Sequence, residues 1–239
     1  MQTRSDTANQ HIAGLHILRT IIFISGMLAL AYETIWFRWL AQQIGSSLLS
    51  STLITGAFLL ANAAGAIFGG YGLAVKYRKP LLLYGMLEAA VAAASLLLLP
   101  VFGQILHLVK GWSILSISLM MAASFLVPSF FMGITFPVFI RAAAHAPCPA
   151  RNPAGFVYLW NVLGASAGVL LGGIYLVPHH GIWYGLGITA ILGLANAGAA
   201  AWNGRHEIVN VPSENAPSNT KKQPRILLAW RELSPILFW

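Results

Sequence analysis

Two carboxylic acids stand where so apolar a chain has least use for them. Glu33 falls within Tyr32-Glu33-Thr34-Ile35-Trp36-Phe37-Arg38, and Glu88 lies in a run whose only polar neighbour in sequence is Tyr84, one helical turn earlier. A charge at the centre of a lipid-crossing helix costs about 2.5–3.5 kcal/mol, so ionisable residues there are candidate ligand, ion or proton sites by default. A carboxyl at Glu88 must be protonated, paired, or turned toward a wet cavity. Asn62 and Asn161, each set among small residues, are its candidate partners across a bundle. The commoner role of such amides is interhelical hydrogen bonding, and that reading stands beside the first. Glu33 lies close to Trp36 and Trp39, which suit a membrane interface. It therefore either reaches headgroup water or forms a cation or proton site near the outer vestibule; Arg38, five residues on, points to a different face but is long enough to approach it. The candidate ligand-binding residues are thus Glu33, Arg38, Glu88, Asn62 and Asn161.

Other chemistries find few residues to work with. Cys148 is the single cysteine and has no partner for an internal disulfide. His179-His180 is a neighbouring pair that rarely chelates a metal without further ligands. No Gly-rich phosphate cradle or general base stands out, so neither a metal nor a cofactor is expected, and an enzymatic role is not the favoured reading.

These residues need elements to hold them, and composition decides which. The 239 residues are 57% hydrophobic and 8% charged, against roughly a quarter charged in ordinary soluble domains. Stretches long enough to cross a hydrocarbon core about 30 Å thick recur along the chain. The fold class is therefore all-α, a polytopic membrane bundle, with six spans expected at 17–40, 48–75, 81–101, 112–140, 156–177 and 182–202. The connections carry breakers: Gly45-Ser46-Ser47, Arg78-Lys79-Pro80, Gly111, Pro147 to Pro153, and Pro178 to Gly181. Pro128 and Pro137 interrupt the fourth span and either kink it to open a cavity or bend it silently. Residues 1–16 read as a cytoplasmic N-terminal segment, 17–203 as the membrane domain, and 204–239 as a cytoplasmic linker with a short apolar tail. The start, with Arg4, Arg19 and Ala29-Leu30-Ala31, loosely imitates a secretory signal. Apolar residues continue to Leu40, beyond a normal signal core, so a retained first helix is the better reading.

Charge sets the orientation. Lys76, Arg78, Lys79, Arg141, Arg151, Arg205, Lys221, Lys222, Arg225 and Arg231 all fall on one side of the expected bundle with Arg4 and Arg19; the other side holds Arg38 and Lys110. By the positive-inside rule both termini are cytoplasmic, in a bacterial inner membrane. The net charge of +8 is a topology signal, and no nucleic-acid partner is expected. The partner that composition demands is the lipid bilayer.

Small residues at four-residue spacing let helices approach closely in lipid. Gly164, Gly168 and Gly172 form one stripe, and Ala61, Gly65 and Gly69 another. Gly181 with Gly185 and Gly193 with Ala197 extend the pattern to the sixth span. Around the first two stripes the second and fifth spans both read Asn-x-x-Gly-Ala-x-x-Gly, from Asn62 and from Asn161. Two such segments, three spans apart and opposite in orientation, are what a three-plus-three inverted repeat leaves behind, as in one half of a major-facilitator-like fold. Gly and Ala are also common here, and short coincidences are cheap.

The segment Tyr32 to Arg38 resembles the first-helix signature of the membrane-embedded spermidine synthase-like family. Gly65 to Gly70 with Arg78-Lys79-Pro80, Tyr84 and Glu88, then Pro128-Ser-Phe-Phe-Met132-Gly133-Ile-Thr135-Phe136-Pro137, are similar to its later motifs. Tyr158-Leu-Trp-Asn161-Val-Leu-Gly164-Ala165 with Pro178 and Gly181 resembles its fifth-helix segment. The likeness runs from about Gly26 to Asn203. It implies a membrane region joined to an aminopropyltransferase domain, but the chain departs from that pattern. Val75-Lys76 stand where an acidic residue is usual, and no methyltransferase-like segment follows the sixth span.

Three roles remain in expectation. The first is a membrane module that binds or transports a polyamine or other small metabolite. The second is an anchor for a separately encoded spermidine synthase-like protein. The third is a truncated, inactive fragment, given the polar stretch from Glu207 to Lys222 and the apolar ending at Trp239. A homodimer is expected if six helices form half of a functional unit.

Overall fold

The computed structural model describes the backbone of residues 2–108, 111–146 and 152–205, and the side chains within them except those of 2–13, 75 and 106–108. The expected tail, Cys148, Lys110 and Arg151 lie outside the described residues. Every described element is helical: α1 (Gln2–Ile44), α2 (Ser47–Phe68), α3 (Pro80–Leu108), α4 (Ile114–Ser124), α5 (Leu126–His145), α6 (Pro153–Leu170) and α7 (Val177–Gly204). A π-helical turn, Gly69–Leu73, extends α2 into a last α turn at Ala74–Lys76, and a second, Leu171–Leu176, joins α6 to α7.

Local chemistry sets the boundaries. Ser46 caps α2 by accepting from Leu49 N at 3.3 Å, Ser113 caps α4 from Ser116 N at 3.1 Å, and Asn152 caps α6 from Gly155 N at 3.1 Å, with Pro153 in the first turn. Side-chain oxygens thereby satisfy N–H groups that the helix cannot. Pro128 has no N–H to give the Ser124 carbonyl, and the helix breaks just before it, at Phe125. Pro100, by contrast, sits inside α3, which runs on to Leu108 instead of ending near 101.

The described residues hold five helical elements long and apolar enough to cross a membrane: Gly14–Ile44, Ser47–Leu73, Pro80–Ile105, Ile114–His145 and Pro153–Gly204. Six were expected. The difference lies at 178–181, where a loop was anticipated; helical bonding instead continues to His180, and only Gly181 leaves it, at φ 78° and ψ 173°. Gly181 meets nothing within 4 Å, so it is a turning point rather than a packing contact. A side chain there would be strained, whatever the space. The first helix also begins earlier than expected, at Gln2, within the segment read as 1–16.

Packing follows the small residues. A Cβ at Gly164 or Gly168 would overlap the backbone carbonyl of Phe23 or Met27, and one at Gly172 would lie 3.3 Å from the Ala31 backbone. Residue numbers rise together, so α1 and α6 run parallel. After Gly181 the sense reverses: Gly185 stands beside Ile35, Gly193 beside Leu28, and Asn196 reaches Ile21. The α2–α5 pair is built like α1–α6. A Cβ at Gly65 would overlap the Phe130 carbonyl, and Gly69 abuts Ile134 and Pro137. The contact is reciprocal in both pairs: Gly133 lies on the Asn62 carbonyl, and Gly26 on that of Asn161. The third pair, α3 with α7, is antiparallel, with Gly85 under Ala197 and Gly204 against Leu81.

Two apolar clusters fill the interior. One holds Leu28, Tyr32, Trp36, Trp39, Val91, Phe102, Phe125 and Leu186; the other holds Leu18, Ile22, Leu81, Leu87, Phe139 and Ala200. Outside, large apolar side chains such as Leu60, Ile67, Tyr71 and Ile191 are exposed, as lipid-facing residues must be. The protein is an all-α, membrane-embedded, multi-helix bundle.

Candidate functional site

Between the two apolar clusters lies a polar layer. On α1, Ser25 separates Ile22 from Leu28; on α3, Glu88 separates Leu87 from Val91; on α7, Asn196 separates Leu186 from Ala200. All three are buried. The Asn196 side-chain amide donates to the Tyr84 hydroxyl at 2.6 Å and to the Ile21 carbonyl at 3.2 Å. Ser25 and Glu88 also lie within reach of the Tyr84 hydroxyl.

A cavity of about 380 Å³ opens against this layer, within the usual size range of small-molecule sites. Its polar lining is Ser25 from α1, Asn62 from α2, Glu88 from α3, Thr135 from α5 and Asn161 from α6. Ala29, Phe58, Met132 and Phe136 supply apolar walls, and the exposed Leu59 and Ala63 stand at its rim. The glycine contacts explain the convergence. Asn62 rests its carbonyl on Gly133 and Asn161 rests its own on Gly26, so each asparagine is pinned at a helix crossing. Thr135 bonds its own helix, donating to the Met132 carbonyl at 2.6 Å.

The structure thus brings together three of the five residues picked as ligand-binding candidates, Glu88, Asn62 and Asn161. It places the other two elsewhere. Glu33 accepts from the Thr55 hydroxyl at 3.0 Å, and Arg38 donates to the Gly173 carbonyl, in the second π turn, at 3.1 Å. Neither lines the cavity. His179 and His180 lie against the Tyr175 ring at 5.2 and 5.5 Å, and no group of three or more metal-ligating side chains gathers among the described residues.

Ser25, Thr135, Asn196 and Tyr32 were not anticipated as members of the site. Asn196 carried a usable signal: Gly193-Leu-Ala-Asn196 on α7 mirrors Gly85-Met-Leu-Glu88 on α3. Tyr32 is fully buried, and its hydroxyl has no hydrogen-bond partner among the described residues; the same holds for Trp36 Nε1, Ser95 Oγ and Ser129 Oγ. A methyl group at Gly193 would lie 3.4 Å from Glu88 Oε1 and 3.6 Å from the Tyr32 hydroxyl. Both oxygens therefore border one small gap.

Basic residues gather at one end of the bundle. Lys79 donates to the Arg205 carbonyl at 2.6 Å, the Arg205 guanidinium lies 4.7 Å from the Trp202 ring, and Arg19 lies 5.4 Å from that of Trp160.

No protein-family model, curated protein or solved structure matches this chain. The motif likeness to spermidine synthase-like proteins therefore gains no support from these comparisons. The chain is an all-helical, multi-span membrane protein.

Proposed function

We propose that this chain is a membrane module that binds a small organic cation in the Glu88 cavity and passes it across the bilayer. The observation that carries this reading is the convergence of one carboxyl and two carboxamides, from three helices, on a single cavity. A carboxylate selects positive charge, and the asparagine amides and the Ser25 and Thr135 hydroxyls can orient ammonium N–H groups. Polyamines are the first class to try, because the motif likeness points to them. The assigned role is binding and passage rather than a reaction.

The same reading counts six crossings related as a three-plus-three inverted repeat. Three correspondences support it. Phe23-x-x-Gly26 pairs with Asn161 as Phe130-x-x-Gly133 pairs with Asn62; both asparagine helices end in a π-helical turn; and Gly85-x-x-Glu88 faces Gly193-x-x-Asn196. Transporters built this way bind substrate at the repeat interface and work by rocking one repeat against the other. The clustered Arg19, Lys79 and Arg205 support placing that end in the cytoplasm.

The test is uptake of labelled spermidine by proteoliposomes containing the full chain. Saturable uptake that Glu88→Gln abolishes is the expected result. Absence of both binding and uptake, in native protein and variant alike, sinks the proposal.

A further inference from the structure

Glu88 has two faces, one lining the cavity and the other joined to the polar layer. The direction of the hydrogen bonds in that layer can be worked out. A backbone carbonyl only accepts, so the Ile21 contact fixes the Asn196 amide as donor. The Tyr84 oxygen then accepts from Asn196, and the tyrosine's own proton can turn toward Ser25 or Glu88, the other two side chains within its reach. The remaining surroundings of Glu88 are equally neutral. The titratable groups facing it are Tyr84, on its own helix, and Tyr32 of α1. Helix α7 presents Gly193 and Asn196, α2 presents Asn62, α5 presents Thr135 and α6 presents Asn161.

Among the described residues no arginine or lysine stands in this ring, and that choice has a chemical meaning. A fixed cation would hold the carboxyl ionised. Hydroxyls instead turn to suit either form, donating to a carboxylate or accepting from a carboxylic acid. Tyr32 is the clearest case: its buried, unpartnered hydroxyl borders the same gap as Glu88 Oε1. A carboxyl supported in both protonation states, with one face on a cavity for cations, can trade one positive charge for another.

Resting on the cavity reading above, we propose that a proton and the organic cation compete for the Glu88 carboxyl, so that the protein exchanges one for the other. On binding, the carboxyl O–H bond breaks and the proton leaves to water through the cavity mouth. The ligand's ammonium group takes its place beside the carboxylate, so the net charge at the site is conserved.

Calorimetric titration of the purified full chain with spermidine tests this, run at several pH values and in phosphate and Tris buffers, whose ionisation heats differ. Competition with one proton makes affinity rise about tenfold per pH unit while the free carboxyl is protonated, then level off. In the rising range, about one proton should reach the buffer for each spermidine bound. Glu88→Gln should abolish the release; the native measurement stands even if that variant fails to fold. Spermidine binding with constant affinity and no buffer-dependent heat overturns proton exchange and leaves the cavity reading intact. No spermidine binding at any pH overturns both.

Discussion

Glu33 stands on a half-buried flank of α1 with one partner, the hydroxyl of Thr55, whereas Glu88 is enclosed by side chains from several helices. The contrast is energetic as well as geometric. A half-buried carboxyl is less enclosed than a buried one, and losing a single hydroxyl contact changes little. A buried one is different. Placing its charge inside the bundle costs about 2.5–3.5 kcal/mol, while an interhelical hydrogen bond in lipid returns about 0.6 kcal/mol. Contacts of that size do not offset such a cost. An ionised Glu88 is therefore a net burden on stability, which a proton or a bound cation relieves. Glu33 has less need of such relief.

The contrast can be broken or sharpened by mutation. The largest effect belongs to Gly164→Leu, whose side chain would drive into the Phe23 carbonyl and push α6 from α1. Thermal unfolding in detergent should report a loss of about 3 kcal/mol or more, with spermidine binding gone. A stable variant would show that this crossing does not position Asn161. Glu88→Gln should weaken spermidine binding about thirtyfold, equivalent to about 2 kcal/mol for a lost charge-assisted contact, while the melting temperature holds or rises. Lower stability with binding intact would recast Glu88 as structural glue. Asn196→Ala removes the donor to Tyr84 and Ile21 and should cost about 1–2 kcal/mol of stability; Asn203→Ala, which loses only an exposed bond to Ala199, serves as control. The smallest effect is expected for Glu33→Gln, within about 0.5 kcal/mol in stability and with binding little changed. If Glu33→Gln alone removed binding, the functional site would move along α1 to the Glu33–Thr55 contact.

Much of the site was legible because lipid makes polar residues conspicuous. Glu88, Asn62 and Asn161 stood out against apolar surroundings, and the glycine stripes marked the crossings that bring them together. Hydroxyls were harder to read. Thr34, Ser166 and Thr189 all satisfy themselves on a carbonyl one turn back, so nothing in sequence separates them from Ser25, which joins the polar layer. Tyr32 was noticed only as the start of a motif, since its burial depends on how α1, α3 and α7 meet. Breakers were read unevenly for the same reason. Pro128 coincides with a break at Phe125 while Pro100 stays inside α3, and neighbouring helices, not the ring alone, decide which proline bends a span.

The π-helical turns at Gly69–Leu73 and Leu171–Leu176 each hold one residue more than the α spacing requires. That spare residue is a store of register. If a π turn migrates along its helix, every residue it passes advances by one position, turning by about 100° and shifting by about 1.5 Å. Each turn lies about two to three helical turns beyond an asparagine of the cavity, on the helix that carries it, so such a migration would turn the segment between the crossing and the turn without unwinding it.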